Sequence, residues 1–255
     1  MRTVVVTGAS QGIGRVVATA FGAQGDRVVL AARNTDNLAE TAADVERAGG
    51  TPEVVATDVT SWDSVSQMAS SVAALSGAAD VVVANSGVGG PSGVLWELDP
   101  DEWDATFAVN VRGVFLTAKA LLPAMIEQRR GTLIVIGSIS GKRPLYGRTP
   151  YTSTKSALVG LVRTLALETG EFGIRVNLIS PGFVEGPRLD WVIGAQAEAR
   201  GVSPDVVEDE FKAQSPMHRL TQPSDIADTA IYLASDQSSA LTGVDLNVNA
   251  GVVMY

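Results

Sequence analysis

The sequence predicts an α/β protein with a doubly wound parallel sheet of about seven strands and helices on both faces. Short runs rich in β-branched residues alternate along the chain with longer segments in which apolar residues recur at helical spacing. Several of the short runs are apolar throughout, as in Val4–Val6 and Val81–Ala84. Continuous apolar runs of this length are typical of strands that are covered on both faces.

Seven strand-like runs and six helix-like segments carry this alternation. The predicted strands are Thr3–Thr7, Arg27–Ala31, Glu53–Thr57, Asp80–Ala84, Thr132–Ile136, Arg175–Ile179 and Asp245–Val248. The predicted helices are Gly12–Gln24, Thr35–Ala48, Ser61–Ser76, Asp101–Arg129, Tyr151–Thr169 and Ser224–Ala234. In the fourth helix, Pro123 predicts a kink or a break. Because strand–helix–strand crossovers are right-handed, the alternation also fixes most of the topology.

The 255 residues contain no linker, low-complexity tract or repeat, so residues 1–255 are expected to form one domain. The segment Gly186–Ser215 departs from the alternation, because it is rich in Glu, Asp and Ala and lies between the sixth and seventh strands. It predicts one or two amphipathic helices. Loops after the carboxyl ends of parallel strands line the ligand crevice. We therefore interpret this insertion as a substrate lid, with a surface excursion that only supports packing as the alternative.

Composition excludes several classes of function. The absence of cysteine excludes disulfides, thiolate metal sites and a cysteine nucleophile. The single histidine, His218, makes a metal site or a Ser-His-Asp triad a poor hypothesis, and we expect it at the surface or, alternatively, in contact with substrate. The net charge of −9 argues against a nucleic-acid partner. No apolar run of membrane-spanning length and no signal-like start is present, which predicts a cytoplasmic protein outside the membrane.

A glycine-rich turn joins the first predicted strand to the first predicted helix. It reads Gly8-Ala9-Ser10-Gln11-Gly12-Ile13-Gly14. Glycines let the backbone approach a pyrophosphate, and the helix that follows offers free N–H groups and the positive end of its dipole. The spacing G-x-x-x-G-x-G differs from the general G-x-G-x-x-G fingerprint. The position of the turn still predicts a dinucleotide site, with a tight turn that binds no ligand as the alternative.

The residues after the second strand bear on the choice of dinucleotide. An acidic residue there would bind the ribose 2′-hydroxyl and repel a 2′-phosphate. Here Ala32 is neutral and Arg33 is cationic, which favours NADP(H) and leaves NAD(H) as the alternative. Arg15, in the first turn of the first helix, is a second candidate for the same phosphate.

Tyr151 and Lys155 form a candidate proton-transfer pair. Positions i and i+4 lie on one face of a helix, so the phenol and the ammonium group can flank one ligand. A free tyrosine has a pKa near 10, and a nearby ammonium group lowers that value. The spacing alone is common by chance, but Ser138 follows the fifth strand, where it would bind a substrate oxygen. Asn110 lies within a predicted helix, which indicates either a specific role or a solvent-facing position.

Together these motifs resemble the single-domain branch of the short-chain dehydrogenase/reductase family, and in particular members similar to 3-oxoacyl-acyl-carrier-protein reductases. The resemblance covers essentially the whole chain and implies a Rossmann fold. The motifs that carry it are Thr7–Gly14 for the TGxxxGxG cofactor turn, Asp58-Val59 for the acid at the adenine, Ala84-Asn85-Ser86-Gly87 for an altered N-N-A-G, and Pro181-Gly182-Phe183-Val184 for the P-G motif below the nicotinamide. Glu185-Gly186 stand where a threonine is common, so backbone groups at Val184 would replace its contact.

The resemblance also implies a catalytic set of Asn110, Ser138, Tyr151 and Lys155. Tyr151 would exchange the proton with the substrate oxygen, and Lys155 would lower the Tyr151 pKa and hold the nicotinamide ribose. Ser138 would position the substrate oxygen, and Asn110 would anchor a water that links Lys155 to solvent. The implied enzyme interconverts a ketone and a secondary alcohol by hydride transfer with NAD(P), and is a homotetramer acting on a small molecule.

Two other functions stay open beside this one. The first is a dinucleotide-binding sensor without catalysis, and the second is a reductase or dehydratase of nucleotide sugars. The substrate itself is not predicted. The stretches expected to line the pocket contain the cations Lys142, Arg143, Arg148 and Arg188, which indicate either an anionic substrate or solvated surface charges.

Overall fold

The computed structural model describes all residues, Met1–Tyr255. It contains one seven-stranded sheet in which every pair of neighbours is parallel, in the order β3-β2-β1-β4-β5-β6-β7. The strands are β1 (Thr3–Thr7), β2 (Arg27–Ala32), β3 (Thr51–Ala56), β4 (Val81–Ala84), β5 (Gly131–Ile136), β6 (Ile174–Pro181) and β7 (Asp245–Val248). The predicted doubly wound fold is confirmed, and the predicted strands differ from these only at their ends.

Nine α-helices surround the sheet. They are α1 (Gly12–Ala23), α2 (Thr35–Ala48), α3 (Trp62–Ser76), α4 (Pro100–Phe107), α5 (Gly113–Gln128), α6 (Thr149–Thr169), α7 (Pro187–Arg200), α8 (Pro204–Ala213) and α9 (Pro223–Leu233). The insertion at 186–215 forms two helices, α7 and α8, as the sequence predicts. They share a small apolar cluster of their own, which includes Leu189, Ile193 and Val207.

A kink or a break was predicted at Pro123, and the break is wrong, because α5 continues through this residue. Pro123 is exposed, as is Lys119 one turn earlier, so the carbonyl left without a helical donor faces water. The irregularity lies instead at Ala108–Arg112, where a π-helical turn joins α4 to α5. Such turns are frequent at functional sites. This one contains Asn110, which is fully buried.

The core consists of two apolar layers, one on each face of the sheet. Alternation along β1 shows the division, because Val5 packs in one layer while Val4 and Val6 pack in the other. The first layer includes α3, α5 and α6, and the second includes α1, α2 and α9. The central strands are therefore buried on both faces, whereas the edge strand β3 is half-exposed.

By length and composition alone, the helical stretch Pro100–Gln128 is apolar enough to cross a membrane. Half of its most apolar window is nevertheless buried inside the fold. Its helix α5 contributes Leu121, Leu122 and Met125 to the first core layer, as a core helix of a globular fold does.

Candidate active site

The strand order reverses between β1 and β4, which neighbour each other at the centre of the sheet. In open parallel sheets, ligands bind outside the carboxyl ends of the strands at such a reversal. The sequence places Gly8 after β1, Asn85 after β4, Ser138 after β5 and Gly182 after β6. The structure therefore brings four of the predicted site segments to one edge of the sheet.

The glycine turn is built as a cradle for an anion. Gly8 has a φ of +65°, and a Cβ on Gly14 would overlap the carbonyl oxygen of Gly8, so both positions require glycine. Gln11, at the N-cap of α1, makes no side-chain capping bond, and the first turn of α1 holds no acidic residue. By contrast, Asn34 caps α2 and Ser61 caps α3. The free N–H groups of α1 thus fit a pyrophosphate.

The altered motif after β4 still braces this turn. The Asn85 side-chain amide donates to the carbonyl oxygens of Thr7 and Gly8, at 3.0 and 3.1 Å. In return, the Thr7 hydroxyl accepts hydrogen bonds from the backbone N–H groups of Asn85 and Ser86, each at 3.1 Å. The departures at Ala84 and Ser86 therefore leave the connection between β1 and β4 intact.

The two cations predicted for the 2′-phosphate differ in their surroundings. Arg15 is held by Asp44 at 2.6 Å and by Glu40 at 2.8 Å, both on α2, so its charge is already paired within the fold. Arg33 is exposed after β2 and has no ion pair. The charge of Arg33 acts on Asp58, whose pKa is lowered by hydrogen bonds from Thr60 and, less strongly, by Arg33.

Tyr151 and Lys155 lie in the first two turns of α6, which begins two residues earlier than predicted. The Lys155 ammonium nitrogen is 5.8 Å from the centre of the Tyr151 ring and donates to the carbonyl oxygen of Ile136, the last residue of β5, at 2.9 Å. Ser138 follows two residues later, and its hydroxyl accepts from the backbone N–H of Ser140 at 3.1 Å. The carboxyl end of β5 thus holds the ammonium group and the serine together.

The electrostatic surroundings favour the ionised phenol. Burial raises the pKa of Tyr151, but the charges of Lys155 and Arg188, a hydrogen bond with Ser138 and the charge of Arg148 outweigh it, so the pKa lies below its usual value. Burial lowers the pKa of Lys155, and Arg188 adds to this effect while Tyr151 opposes it. The pair can therefore exchange a proton closer to neutral pH than a free tyrosine can.

Asn110 is not a solvent-facing residue. Its carbonyl oxygen accepts from the backbone N–H of Val88 at 2.8 Å, and its amide donates to the Val88 carbonyl at 2.9 Å and to the Thr154 hydroxyl at 3.1 Å. A Cβ on Gly87 would lie 3.4 Å from the Asn110 side-chain oxygen and 3.6 Å from the Lys155 nitrogen. Asn110 therefore fixes the loop after β4 against α6, close to Lys155.

The segment after β6 leaves the backbone N–H and C=O of one residue free. The Gly182 N–H donates to the Val248 carbonyl at 3.0 Å, and a Cβ on Gly182 would approach Asn249 to 2.7 Å. Val184 is bridged to Thr221 through hydrogen bonds of the residues on either side of it, so its own N–H and C=O lie outside the bridge. These backbone groups remain available for a ligand.

The four cations predicted for the pocket separate into two pairs. Lys142 is partly buried and contacts Asp245 at 2.9 Å and Asn247 at 2.6 Å, and Arg143 stacks over the Phe183 ring, 5.3 Å from its centre. The guanidinium carbons of Arg148 and Arg188 lie 5.8 and 5.1 Å from the centre of the Tyr151 ring. The sequence places all four cations in the pocket-lining stretches but does not indicate which of them approach Tyr151, since Arg188 lies in a different helix from Tyr151.

Residues 8–253 match the family model adh_short_C2, whose description is enoyl-(acyl carrier protein) reductase. An uncharacterized oxidoreductase, YxbG, of Bacillus subtilis is 35% identical over 100% of this chain and 92% of its own. The 3-oxoacyl-[acyl-carrier-protein] reductase FabG of Staphylococcus epidermidis is 31% identical, over 99% of each chain. The protein belongs to the short-chain dehydrogenase/reductase family, and it resembles the 3-oxoacyl-acyl-carrier-protein reductases within it.

Two solved structures extend the likeness to the whole fold. NAD⁺-bound xylitol dehydrogenase superimposes with a TM-score of 0.93 at 28% identity, over 98% of each chain. A single-residue variant of actinorhodin polyketide ketoreductase, solved with NADPH, also gives a TM-score of 0.93, at 32% identity over 100% of this chain and 98% of its own. Both are Rossmann-fold members of the family, so the predicted fold family is confirmed and the chain is an oxidoreductase.

Proposed function

We propose that the protein interconverts a ketone and a secondary alcohol with a nicotinamide dinucleotide, preferring NADP(H) to NAD(H), and that Tyr151 is the general acid/base. The observation that carries this proposal is the Tyr151 phenol, whose pKa is lowered by Lys155, Arg188 and Ser138. It lies at the same edge of the sheet as a glycine turn suited to a pyrophosphate. The relatives bind NAD⁺ in one case and NADPH in another, so the preference rests on Arg33.

The cofactor would be held along the carboxyl edge of the sheet. The pyrophosphate would lie on the glycine turn and the free N–H groups of α1, with the adenine toward Asp58 and the ribose phosphate toward Arg33. The nicotinamide end would lie toward Lys155 and the free peptide groups of Val184. The full set of residues assigned to cofactor binding is Gly8, Ser10, Gln11, Gly12, Ile13, Gly14, Arg33, Asp58, Val59, Asn85, Gly87, Tyr151, Lys155, Pro181, Gly182 and Val184.

When bound, the nicotinamide supplies or accepts the hydride. The chain's own residues handle the oxygen and its proton. The Ser138 hydroxyl donates to the substrate oxygen and stabilises the charge that develops on it. Tyr151 gives its proton to that oxygen in reduction and takes it back in oxidation. Lys155 stabilises the ionised phenol between these events, and Asn110 keeps the loop after β4 in place beside it, where it would also anchor a water that links Lys155 to solvent.

The alternatives explain fewer of these contacts. A sensor that only binds a dinucleotide has no need for Ser138, Tyr151 and Lys155 to converge with a lowered phenol pKa. A nucleotide-sugar enzyme carries a larger substrate domain, whereas this chain matches the full length of relatives named as reductases. Helices α7 and α8 would cover a small-molecule substrate as a lid on the single domain 1–255.

Tyr151→Phe tests the acid/base assignment. The variant removes the exchangeable proton and keeps the ring, so we expect turnover of ketones to be abolished while NADPH, followed by fluorescence, still binds through the other residues of the cofactor site. Tyr232→Phe, on α9 and away from the site, serves as the matched control and should retain the rate. Turnover that survives in Tyr151→Phe would contradict the assignment.

The assembly and the location of the protein belong to the same proposal. The exposed side chains Phe115 on α5 and Leu167 on α6, which are 49% and 84% exposed, suit helix pairing between subunits of a homotetramer. Light scattering coupled to size exclusion would give the mass of four chains, and a monomer would refute this part. We place the protein in the cytoplasm, with no nucleic-acid or membrane partner.

A further inference from the structure

We propose that Arg148 and Arg188 bind the carboxylate group of a small oxo- or hydroxycarboxylate substrate. This inference rests on the proposed reaction at Tyr151 and adds the chemical class of the substrate. Arg148 immediately precedes α6, and Arg188 lies in the first turn of α7. Their guanidinium carbons lie 5.8 and 5.1 Å from the centre of the Tyr151 ring. Two cations from separate segments therefore meet beside the reacting phenol.

The two guanidinium groups converge on one point above the loop after β4. A Cβ added to Gly89 would lie 2.8 Å from a terminal nitrogen of Arg148 and also 2.8 Å from a terminal nitrogen of Arg188. Any larger residue at Gly89 would displace both side chains. Glycine at this position lets the two guanidinium groups approach each other closely enough to bind one anion together.

Neither arginine has an acidic partner in the fold. Arg148 donates to the Gly89 carbonyl at 2.7 Å and to the Ser92 hydroxyl, and its Nε atom is buried without an acceptor. Arg188 makes no hydrogen bond or ion pair, although Glu185 and Asp190 are close to it along the chain. A chain with 28 acidic and 19 basic residues could neutralise these cations readily.

Holding two like charges together without a counterion costs stability. The cost is visible in Arg148, whose pKa is lowered by burial and further by the charge of Arg188. Unneutralised charge of this kind is retained where it serves binding or catalysis. The pair is therefore better explained by an anion that arrives with the substrate than by a role in folding.

The chemistry of the anion follows from the two guanidinium groups. Planar guanidinium groups match the two oxygens of a carboxylate, which they bind by paired charge-assisted hydrogen bonds. Their closeness to the Tyr151 ring requires a short linker between the carboxylate and the carbonyl carbon that reacts. Lys142 and Arg143 are engaged with Asn247 and Gln214, so they do not compete for this anion.

The first test compares each acid with its own neutral ester. Initial rates with NADPH would be measured for 2-, 3- and 4-oxocarboxylates and their methyl esters. We expect at least one acid to exceed its ester about tenfold in kcat/KM. Arg188→Gln and Arg148→Gln should each lower that acid-to-ester ratio roughly 10- to 100-fold, the range of a charged hydrogen bond. The ratio is the readout because both arginines also lower the Tyr151 pKa, which affects the acid and the ester alike.

Arg47→Gln, an exposed arginine of α2 far from this edge of the sheet, is the matched control and should keep the native ratio. The Arg188 side chain makes no hydrogen bond or ion pair, and its charge repels that of Arg148, so Arg188→Gln should melt at or above the native temperature even if Arg148→Gln does not. A native ratio near one across the whole series, or an unchanged ratio in Arg188→Gln, would overturn the proposal.

A second measurement does not depend on turnover. Calorimetric titration of the protein saturated with NADP⁺ would compare butanoate and pentanoate with their amides and with methylphosphonate. We expect an alkanoate to bind, its amide not to bind, and Arg188→Gln to weaken the alkanoate about tenfold or more. If this holds while no ketone is reduced, the carboxylate site stands and the proposed reaction fails. Absent or unaltered alkanoate binding, or binding of the phosphonate alone, would overturn the carboxylate site.

Discussion

Replacing Arg33 by alanine should change cofactor preference without changing the fold. Arg33 is exposed after β2, so its removal breaks no side-chain hydrogen bond or ion pair within the protein. A hydrogen bond between a guanidinium group and a phosphate contributes about 1.5–3 kcal/mol. Water screens an exposed pair, and the carboxylate of Asp58 offsets part of the positive charge, which places the effect in the lower half of this range. We expect NADPH to bind roughly 10- to 30-fold more weakly and NADH to change less than about twofold.

The assay is a fluorescence titration of each reduced dinucleotide against the native protein, Arg33→Ala and Arg15→Ala. Arg15, in the first turn of α1, is the second cation predicted for this phosphate, but it is neutralised by Asp44 and Glu40. Arg15→Ala should therefore lower the unfolding temperature and leave the ratio of NADPH affinity to NADH affinity unchanged. Higher salt should weaken NADPH binding to the native protein more than to Arg33→Ala. Equal losses for both dinucleotides, or a selective loss in Arg15→Ala, would refute the assignment.

Three further predictions address the phenol and the glycine turn. The absorbance of the native protein minus that of Tyr151→Phe isolates one tyrosine, whose ionisation midpoint should lie below the usual value near 10 because the nearby cations outweigh burial; a midpoint at or above that value would contradict the lowered pKa. Gly14→Ala should abolish binding of both dinucleotides in a folded protein, because the new methyl group overlaps the Gly8 carbonyl; native affinity would show that the turn holds no pyrophosphate. Asn85→Ala leaves the carbonyls of Thr7 and Gly8 without their donor and should cost about 2–4 kcal/mol in urea unfolding, whereas a loss below about 0.5 kcal/mol would show that water replaces the amide.

Much of the fold follows from local pattern. The strands β1 and β4 are buried on both faces, so their continuous apolar runs predicted buried strands directly. The alternation of strands and helices along the chain then predicted the topology of the sheet. The glycine turn was visible for the same reason, since its chemistry lies in consecutive residues. Strand ends shifted because pairing with a neighbour, as between β3 and β2, extends a strand beyond its apolar residues.

The π-helical turn at Ala108–Arg112 was not predictable from the same pattern. Apolar residues recur at helical spacing on both sides of it, and one residue of additional winding leaves that periodicity almost unchanged. Pro123 was the only proline in the predicted helix, yet its exposed position lets water satisfy the freed carbonyl. The signal that did exist was Asn110, a polar residue in an apolar helical run, which lies in this turn and makes hydrogen bonds to Val88.

The sequence could not show which of the basic residues in the predicted pocket bind a ligand and which form ion pairs within the fold. Lys142 and Arg188 stood as equals in the predicted pocket, but Lys142 meets Asp245 from the last strand, a pairing that depends on the folded sheet. What separates them is whether an acid reaches them, and this is a property of tertiary structure alone. Of the 19 lysine and arginine residues, however, more than half make no ion pair, so the absence of an acid does not by itself mark a binding residue. Arg33, Arg148 and Arg188 are distinguished among these by their position, since all three lie beside the carboxyl edge of the sheet, so the acidic exterior and a site for anionic ligands are compatible.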